Sequence, residues 1–232
     1  MKDGIIIQAR TGSTRLHNKI LLPFYGEQRI IDILIANIKQ ACPDKCIILA
    51  TTNRPQDDVL AEVAHQAGIL SFRGDEDNVL DRFIRAAEVF GVDRFIRVCS
   101  DNPFLRPETF NTFFAEHAFC PADYIAYGFA DGRPTIKSHL GLYSELTMLC
   151  VVRQFPHKRN STSSMSPSIF IHILKSSRCV CFLCLPSWRA VSIFVSPSIR
   201  WKTLPCYKSF MLLSMKRLIV VFIPCCNWCN RI

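Results

Sequence analysis

The stretch Ala9-Arg10-Thr11-Gly12-Ser13-Thr14-Arg15-Leu16-His17-Asn18-Lys19 places three cations, Arg10, Arg15 and Lys19, just after the apolar run Ile5-Ile6-Ile7. Gly12, Ser13 and Thr14 offer backbone N–H groups and hydroxyls that can wrap phosphate oxygens. The cations could neutralise a triphosphate as charge grows on its leaving group. The G-x-x-x-x-G-K-[ST] spacing of a Walker A loop is absent. Spacing alone leaves a solvated basic loop equally open, because cations near a glycine are common on protein surfaces. A second candidate is Asp101, in Arg97-Val98-Cys99-Ser100-Asp101-Asn102-Pro103. A carboxylate there suits Mg²⁺, which takes one or two carboxylates plus phosphate oxygens. The alternative is a helix or turn cap. Asp75-Glu76-Asp77, after Arg73-Gly74, reads as a loop and helix N-cap. Arg82 and Arg85 on the following helix read as solvated or paired with acids.

The elements that must position these groups alternate between strand and helix. Apolar β-branched runs predict buried strands at residues 4–9, 46–50, 69–72 and 94–98, with another near 124–127. Ile30, Ile31, Ile33, Leu34 and Ile38 do not alternate but recur at helical spacing, so residues 28–41 read as an amphipathic helix. Further helices are expected at 57–67 (stopped by Gly68), 78–90 and about 107–117. Such alternation argues for an α/β fold, a mostly parallel sheet with helices on both faces. Ligands of such sheets sit outside the carboxyl ends of the strands. The loops at 10–19, 51–53 and 100–103 all fall there.

These residues carry a family resemblance. The segment from Ile6 to Leu16 with Lys19 resembles the opening motif of the cytidylyltransferases, in particular the spore coat polysaccharide biosynthesis protein F group. That group is related to the synthetases of CMP-sialic acid and CMP-ketodeoxyoctulosonate. The resemblance continues through Phe72-Arg73-Gly74-Asp75-Glu76-Asp77-Asn78-Val79-Leu80-Asp81-Arg82 and then Arg97 to Pro103. His17 stands where the family usually has proline. The resemblance implies a nucleotide-diphospho-sugar transferase fold and CTP-dependent activation of a sugar or sugar acid. It implies that Ala9, Arg10, Gly12, Ser13, Thr14, Arg15 and Lys19 hold the nucleotide. On the same grounds Arg10, Arg15 and Lys19 serve the chemistry, and Asp101 binds Mg²⁺. A second metal-binding Asp is expected near the family's carboxyl end, in a stretch like Val-Asp-Thr-x-Glu-Asp-Phe. Composition and spacing alone carry only a phosphate-binding α/β domain, which leaves another nucleotidyltransferase, using GTP or a cofactor precursor, as an alternative.

The chain has 232 residues and a formal net charge of +9, but the charge is unevenly distributed. All 19 acids and all nine glycines lie before residue 150, with 16 cations. Residues 150–232 hold 12 cations, eight of the 12 cysteines and no acid or glycine. With acids near an eighth of ordinary sequence, such a stretch has a chance on the order of 10⁻⁵. Residues 1–149 are therefore expected to form the nucleotidyltransferase-like domain, and 150–232 a separate tail. A zinc module on Cys181, Cys184, Cys226 and Cys229, with or without His172, has pairs spaced too widely for the usual pattern. A polyanion-binding arm is a further alternative, but its cations are scattered, so no nucleic-acid partner is expected.

The reading that accounts for the composition is a shifted frame. Codons compatible with residues 164–177, read one base back, encode Glu-His-Val-Thr-Lys-Tyr-Ile-Tyr-Thr-His-Pro-Glu-Lys-Phe. Those for residues 193–206 encode Asp-Ile-Arg-Leu-Thr-Val-Asp-Thr-Val-Glu-Asp-Phe-Ala-Met, which contains the family's missing Asp. On this expectation the fold is incomplete at its carboxyl end and activity is impaired. The short apolar run after Met1 lacks the length of a signal-peptide core, and no apolar run reaches about 18 residues. With four scattered cysteines before residue 150, these features point to a cytoplasmic protein without a membrane span.

Overall fold

The computed structural model describes residues 1–12, 16, 18–103, 105–119, 121–128 and 144–154, together with the backbone of residues 179–184, 191–195, 212–215 and 218–223. The first strand, β1 (Asp3–Gln8), is followed by a 3-10 turn (Lys19–Leu21) and a short hairpin of β2 (Pro23–Tyr25) and β3 (Gln28–Arg29). Then come α1 (Ile30–Ala41), β4 (Cys46–Thr52), α2 (Asp58–Gln66), β5 (Leu70–Gly74) and α3 (Val79–Val89). They are followed by β6 (Arg94–Cys99), α4 (Phe110–Phe119), β7 (Tyr124–Gly128), β8 (Glu145–Met148) and the single-turn α5 (Leu149–Val152). The strands and helices expected up to residue 127 are all present, with ends shifted by a few residues. The β2–β3 hairpin, β8 and α5 were not expected. The hairpin turns at Gly26, whose φ of 57° suits a residue without a Cβ.

The main sheet runs β5-β4-β1-β6-β8-β7 across the domain. β1 pairs in parallel with β4 on one side and β6 on the other, and β4 pairs in parallel with β5. β8 lies antiparallel between β6 and β7. Beyond β7 the backbone continues with β9 (Cys179–Cys184), β10 (Val191–Val195), β11 (Leu212–Met215) and β12 (Leu218–Ile223), β9 pairing in parallel with β7. The sequence reading placed no strand in 150–232. The cysteine pairs and His172 considered for zinc lie outside the residues whose side chains are described. Among the described residues, no helix is long and apolar enough to cross a membrane.

The alternation of apolar residues along each central strand builds two cores. Ile5, Ile7, Leu49, Ile96 and Val98 face α1, α2 and α4, where they meet Leu34, Leu60 and Phe113. Ile6, Ile48 and Phe95 face the other way onto α3 and α5, against Phe83 and Val152. Ile5, Ile6 and Ile7 are fully buried, each side chain stabilising the fold by roughly 1.5–3 kcal/mol. Consecutive apolar residues are therefore needed in β1, because both of its faces are covered.

The order of connections locates the site. From β1 the chain moves outward to β4 and β5, then returns to place β6 on the other flank of β1. Connections leaving the carboxyl ends of β1 and β6 thus diverge, opening the crevice where open α/β sheets bind ligands.

Glu145 opens β8 and is 1% exposed, a position that looks wrong for a carboxylate until its neighbours are seen. The β6–β8 register sets Arg97 opposite it, and the Arg97 guanidinium donates to Glu145 while the Tyr124 hydroxyl donates to its second oxygen. Removing one member of a buried pair leaves the other charge uncompensated. Glu145→Ala is expected to lower stability by about 3–5 kcal/mol, read from urea denaturation midpoints at constant slope.

Candidate functional site

Two layers of interactions meet at the carboxyl ends of β1, β4 and β6. The inner layer fixes the start of the loop that leaves β1. Ala9 is buried and donates its N–H to the Ala50 carbonyl at 3.1 Å, continuing the sheet for one more bond. The next residue but one, Thr11, turns inward. Its N–H and its hydroxyl both donate to one Asp57 oxygen, at 2.8 and 2.6 Å. The Thr52 hydroxyl, at the end of β4, donates to the other oxygen. Asp57 sits in a 3-10 turn (Pro55–Asp57) leading into α2, and it is 1% exposed. Burial alone would raise its pKa, but the hydrogen bonds from Thr11 and Thr52 outweigh that and hold it below the usual carboxylate value. The loop closes farther on, where the Asn18 N–H donates to the Thr11 carbonyl at 3.2 Å. Asn18 adopts a left-handed φ of 55°, a conformation its short polar side chain tolerates.

The outer layer is charged. Lys19, after β1, and Asp101, after β6, face one another across the crevice, Nζ to Oδ2 at 3.5 Å. Both are well exposed, so their attraction is weak and easily exchanged for a ligand. Arg10 lies 3.9 Å from Glu76, which also pairs with Arg54. Gly12 lies under these groups. A Cβ there would stand 3.5 Å from Gln56 Nε2 and 3.7 Å from Glu76 Oε1. Arg73 braces the far side, donating to the carbonyls of Thr52 and Arg54 at 3.0 and 2.9 Å.

Arg82 departs from the sequence reading. It is fully buried beneath the loop that follows β5, neither solvated nor held by a side-chain ion pair among the described residues. Its Nη1 donates to the Asp75 carbonyl at 2.6 Å. Burial, and secondarily the nearby Arg10 charge, pull its pKa down to about 10. Gly74 makes room for it: a Cβ on Gly74 would come within 3.0 Å of Arg82 Cγ. The acids beside Gly74 divide their work. Asp75 accepts the N–H groups of Asp77 and Asn78 at 2.8 and 2.9 Å, and the helix cap itself is Asn78, which accepts from the Asp81 N–H. Glu76 turns instead to the arginines.

The structure thus brings Ala9, Arg10, Gly12, Lys19 and Asp101 to one end of the sheet. Ser13, Thr14 and Arg15 lie outside the described residues. The sequence reading gave no role to Asp57 or Arg54, placed Thr52 only within a loop at the ligand end of the sheet, and took Glu76 for part of a helix N-cap rather than a partner of Arg10 and Arg54. The available signal was Asp57-Asp58 just after Pro55, five residues beyond a strand that ends in Thr51-Thr52. Among the described residues, no group of three or more His, Cys, Asp or Glu could hold a metal. A magnesium–nucleotide complex asks less of a protein, because phosphates and water supply most of its ligands. One exposed carboxylate, Asp101, at the crevice fits that requirement.

The sheet order, with a cation-bearing loop at its switch point, defines a Rossmann-like nucleotidyltransferase fold. The cytidylyltransferase family model matches residues 4–133, and the chain belongs to that family. It is 38% identical over 123 residues to the spore coat polysaccharide biosynthesis protein SpsF of Bacillus subtilis, covering 51% of each chain. It is 31% identical over 109 residues to a 3-deoxy-manno-octulosonate cytidylyltransferase of Chlorobium phaeobacteroides, covering 47% of this chain and 43% of that one. The chain spans about half the length of the curated relatives it matches. A solved cytidylyltransferase from Leptospira borgpetersenii superposes with a TM-score of 0.59 at 26% identity, over 66% of this chain and 63% of that one.

Asp57 makes the inner layer sensitive to pH. Its folded pKa lies below the unfolded value, so its stabilisation is complete above about pH 4 and is lost as pH falls through the folded value. Asp57→Asn is therefore expected to be less stable than the parent at neutral pH, with the gap closing in acid. Denaturation curves between about pH 7 and about pH 3 check this.

Proposed function

We propose that the chain is a CTP-dependent cytidylyltransferase that activates a sugar or sugar acid for a cell-surface polysaccharide of the spore coat kind. The observation that carries the reading is the meeting of Lys19 and Asp101 across the β1–β6 crevice, beside the Arg10–Gly12 turn. Family membership and the named relatives support cytidine and a sugar-acid acceptor.

On this reading Ala9, Arg10 and Gly12, with Ser13, Thr14 and Arg15, bind the nucleotide, and Arg10, Arg15 and Lys19 meet its phosphates. Asp101 would hold Mg²⁺, which would supply charge neutralisation to the phosphates. A hydroxyl of the acceptor attacks the α-phosphorus in line and gives up its proton to solvent, while the bond from that phosphorus to the departing pyrophosphate oxygen breaks. Lys19, held only by an exposed contact to Asp101, would turn to a phosphate oxygen when the nucleotide binds. Cations held at the sheet end stabilise charge that grows on the leaving group, and most of the rate comes from this and from alignment.

We further propose that residues 150–232 come from a shifted reading frame and so lack the family's second metal carboxylate. The supporting fact is an acid-free stretch that carries 12 cations. The coding locus tests it directly: a one-base change near the codons for residues 148–150 must restore an acid-rich frame. In the restored protein, CTP, Mg²⁺ and a 3-deoxy sugar acid are expected to yield pyrophosphate, and the present chain to do so far more slowly. Lys19→Ala and Asp101→Asn should each lower kcat/KM of the restored protein by about 100-fold or more. Preference for another nucleoside triphosphate, or equal rates from both chains, would contradict the proposal.

A further inference from the structure

Asp57 is a buried carboxylate that the chemistry above does not use. At 1% exposure, with Thr11 at 2% and Thr52 at 0%, it cannot touch a substrate. Among the described residues it forms no direct ion pair, and hydrogen bonds from neutral groups hold its charge, with the buried Arg82 charge acting at longer range. Such a group is costly to bury, and removing it strands three donors in the core. Its location gives that arrangement a use. Thr11 lies between Arg10 and Gly12, at the start of the loop that leaves β1. With its N–H and its hydroxyl both turned to Asp57, the chain has one way to leave β1. Arg10 and Gly12 are then presented outward toward Glu76, and Thr11 contributes neither N–H nor hydroxyl to a ligand.

We infer that Asp57 is a positioning residue for nucleotide binding: it clamps Thr11 to the end of β4 and thereby sets Arg10 and Gly12 for the phosphate chain. The inference rests on the functional reading above and extends it to a residue outside the binding surface. Because the clamp joins β1 to β4, affinity for nucleotide depends on a bond network that no phosphate reaches. The geometry of Arg10 and Gly12 is set from beneath.

The test is calorimetric titration of the full chain with CTP and Mg²⁺, and with ATP, GTP and UTP as controls, well below each variant's Tm. Asp57→Ala should weaken CTP binding by about tenfold or more, since it leaves Thr11 without its acceptor. Asp57→Asn keeps an acceptor oxygen for the Thr11 N–H and should recover most of that loss. Thr11→Val removes the hydroxyl alone and should cost several-fold. Combined with Asp57→Ala it should add little, because both changes break the same clamp. A purely structural role would lower Tm in Asp57→Ala and Thr11→Val and leave the affinity of the folded fraction unchanged, within about twofold, and that result overturns the inference. Should Asp57→Ala not fold, Thr11→Val decides the matter by the same criterion. Absence of binding of any triphosphate to the parent chain overturns the positioning role, and absence of turnover by the restored protein as well overturns the functional reading. Parental binding with unaffected variants overturns the positioning role alone.

Discussion

Burial of Ile5, Ile6 and Ile7 on both faces of one sheet is the constraint from which the rest of the domain follows. A strand with three consecutive apolar side chains must be covered above and below, and parallel neighbours with crossover helices provide that cover. Once β1 is central, β4 and β6 must flank it, and the connections on either side leave in opposite directions. The crevice at their carboxyl ends is thus a consequence of strand order. Polar backbone groups that the sheet no longer pairs are left at that end, where loop side chains can be held close to solvent and to one another.

Among the described residues, the charges at the crevice are paired before a ligand arrives. Glu76 lies between Arg10 and Arg54, and Lys19 faces Asp101. The Lys19–Asp101 pair is exposed and contributes little to stability, so exchanging it for phosphate oxygens costs little, whereas Glu76 is mostly buried between its arginines. Deeper in, the balance is different. Arg97 and Glu145 are buried together and compensate one another, whereas Asp57 is held by hydroxyl and amide donors, and Arg82 by backbone carbonyls. Weak, exchangeable contacts therefore sit on the surface of the site, and contacts that are expensive to break sit beneath it.

The uneven composition of the chain has a structural counterpart. The matched family region, residues 4–133, and the two helix-covered cores belong to the acidic front of the sequence. The strands described beyond residue 178 add to the β7 edge of the same sheet. Their sequences, Cys179–Cys184 and Leu218–Ile223 among them, are runs of apolar and cysteine residues, of the kind that sheet edges recruit by backbone pairing whatever their side chains. The net charge of +9 is thus a property of the tail, while the domain with the candidate site carries more acids than cations.

The elements of the front half were legible because their signals are local. Apolar runs such as Cys46-Ile47-Ile48-Leu49, helical spacing in residues 30–38, and the stop at Gly68 each depend on neighbours within a few positions. The cations of the first loop and Asp101 were legible for the same reason, as short polar insertions after strands. Glu145 and Arg97 were not, since a buried carboxylate makes sense only when an antiparallel register places an arginine 48 residues away directly opposite it. Asp57 was hidden likewise: its partners Thr11 and Thr52 come from two strand ends that only the sheet brings together. The sequence by itself determined an α/β domain with a phosphate-type loop, because alternating burial and residue chemistry are written along the chain. Tertiary structure decided which acids face which cations, because that depends on strand order and register, which no local pattern encodes.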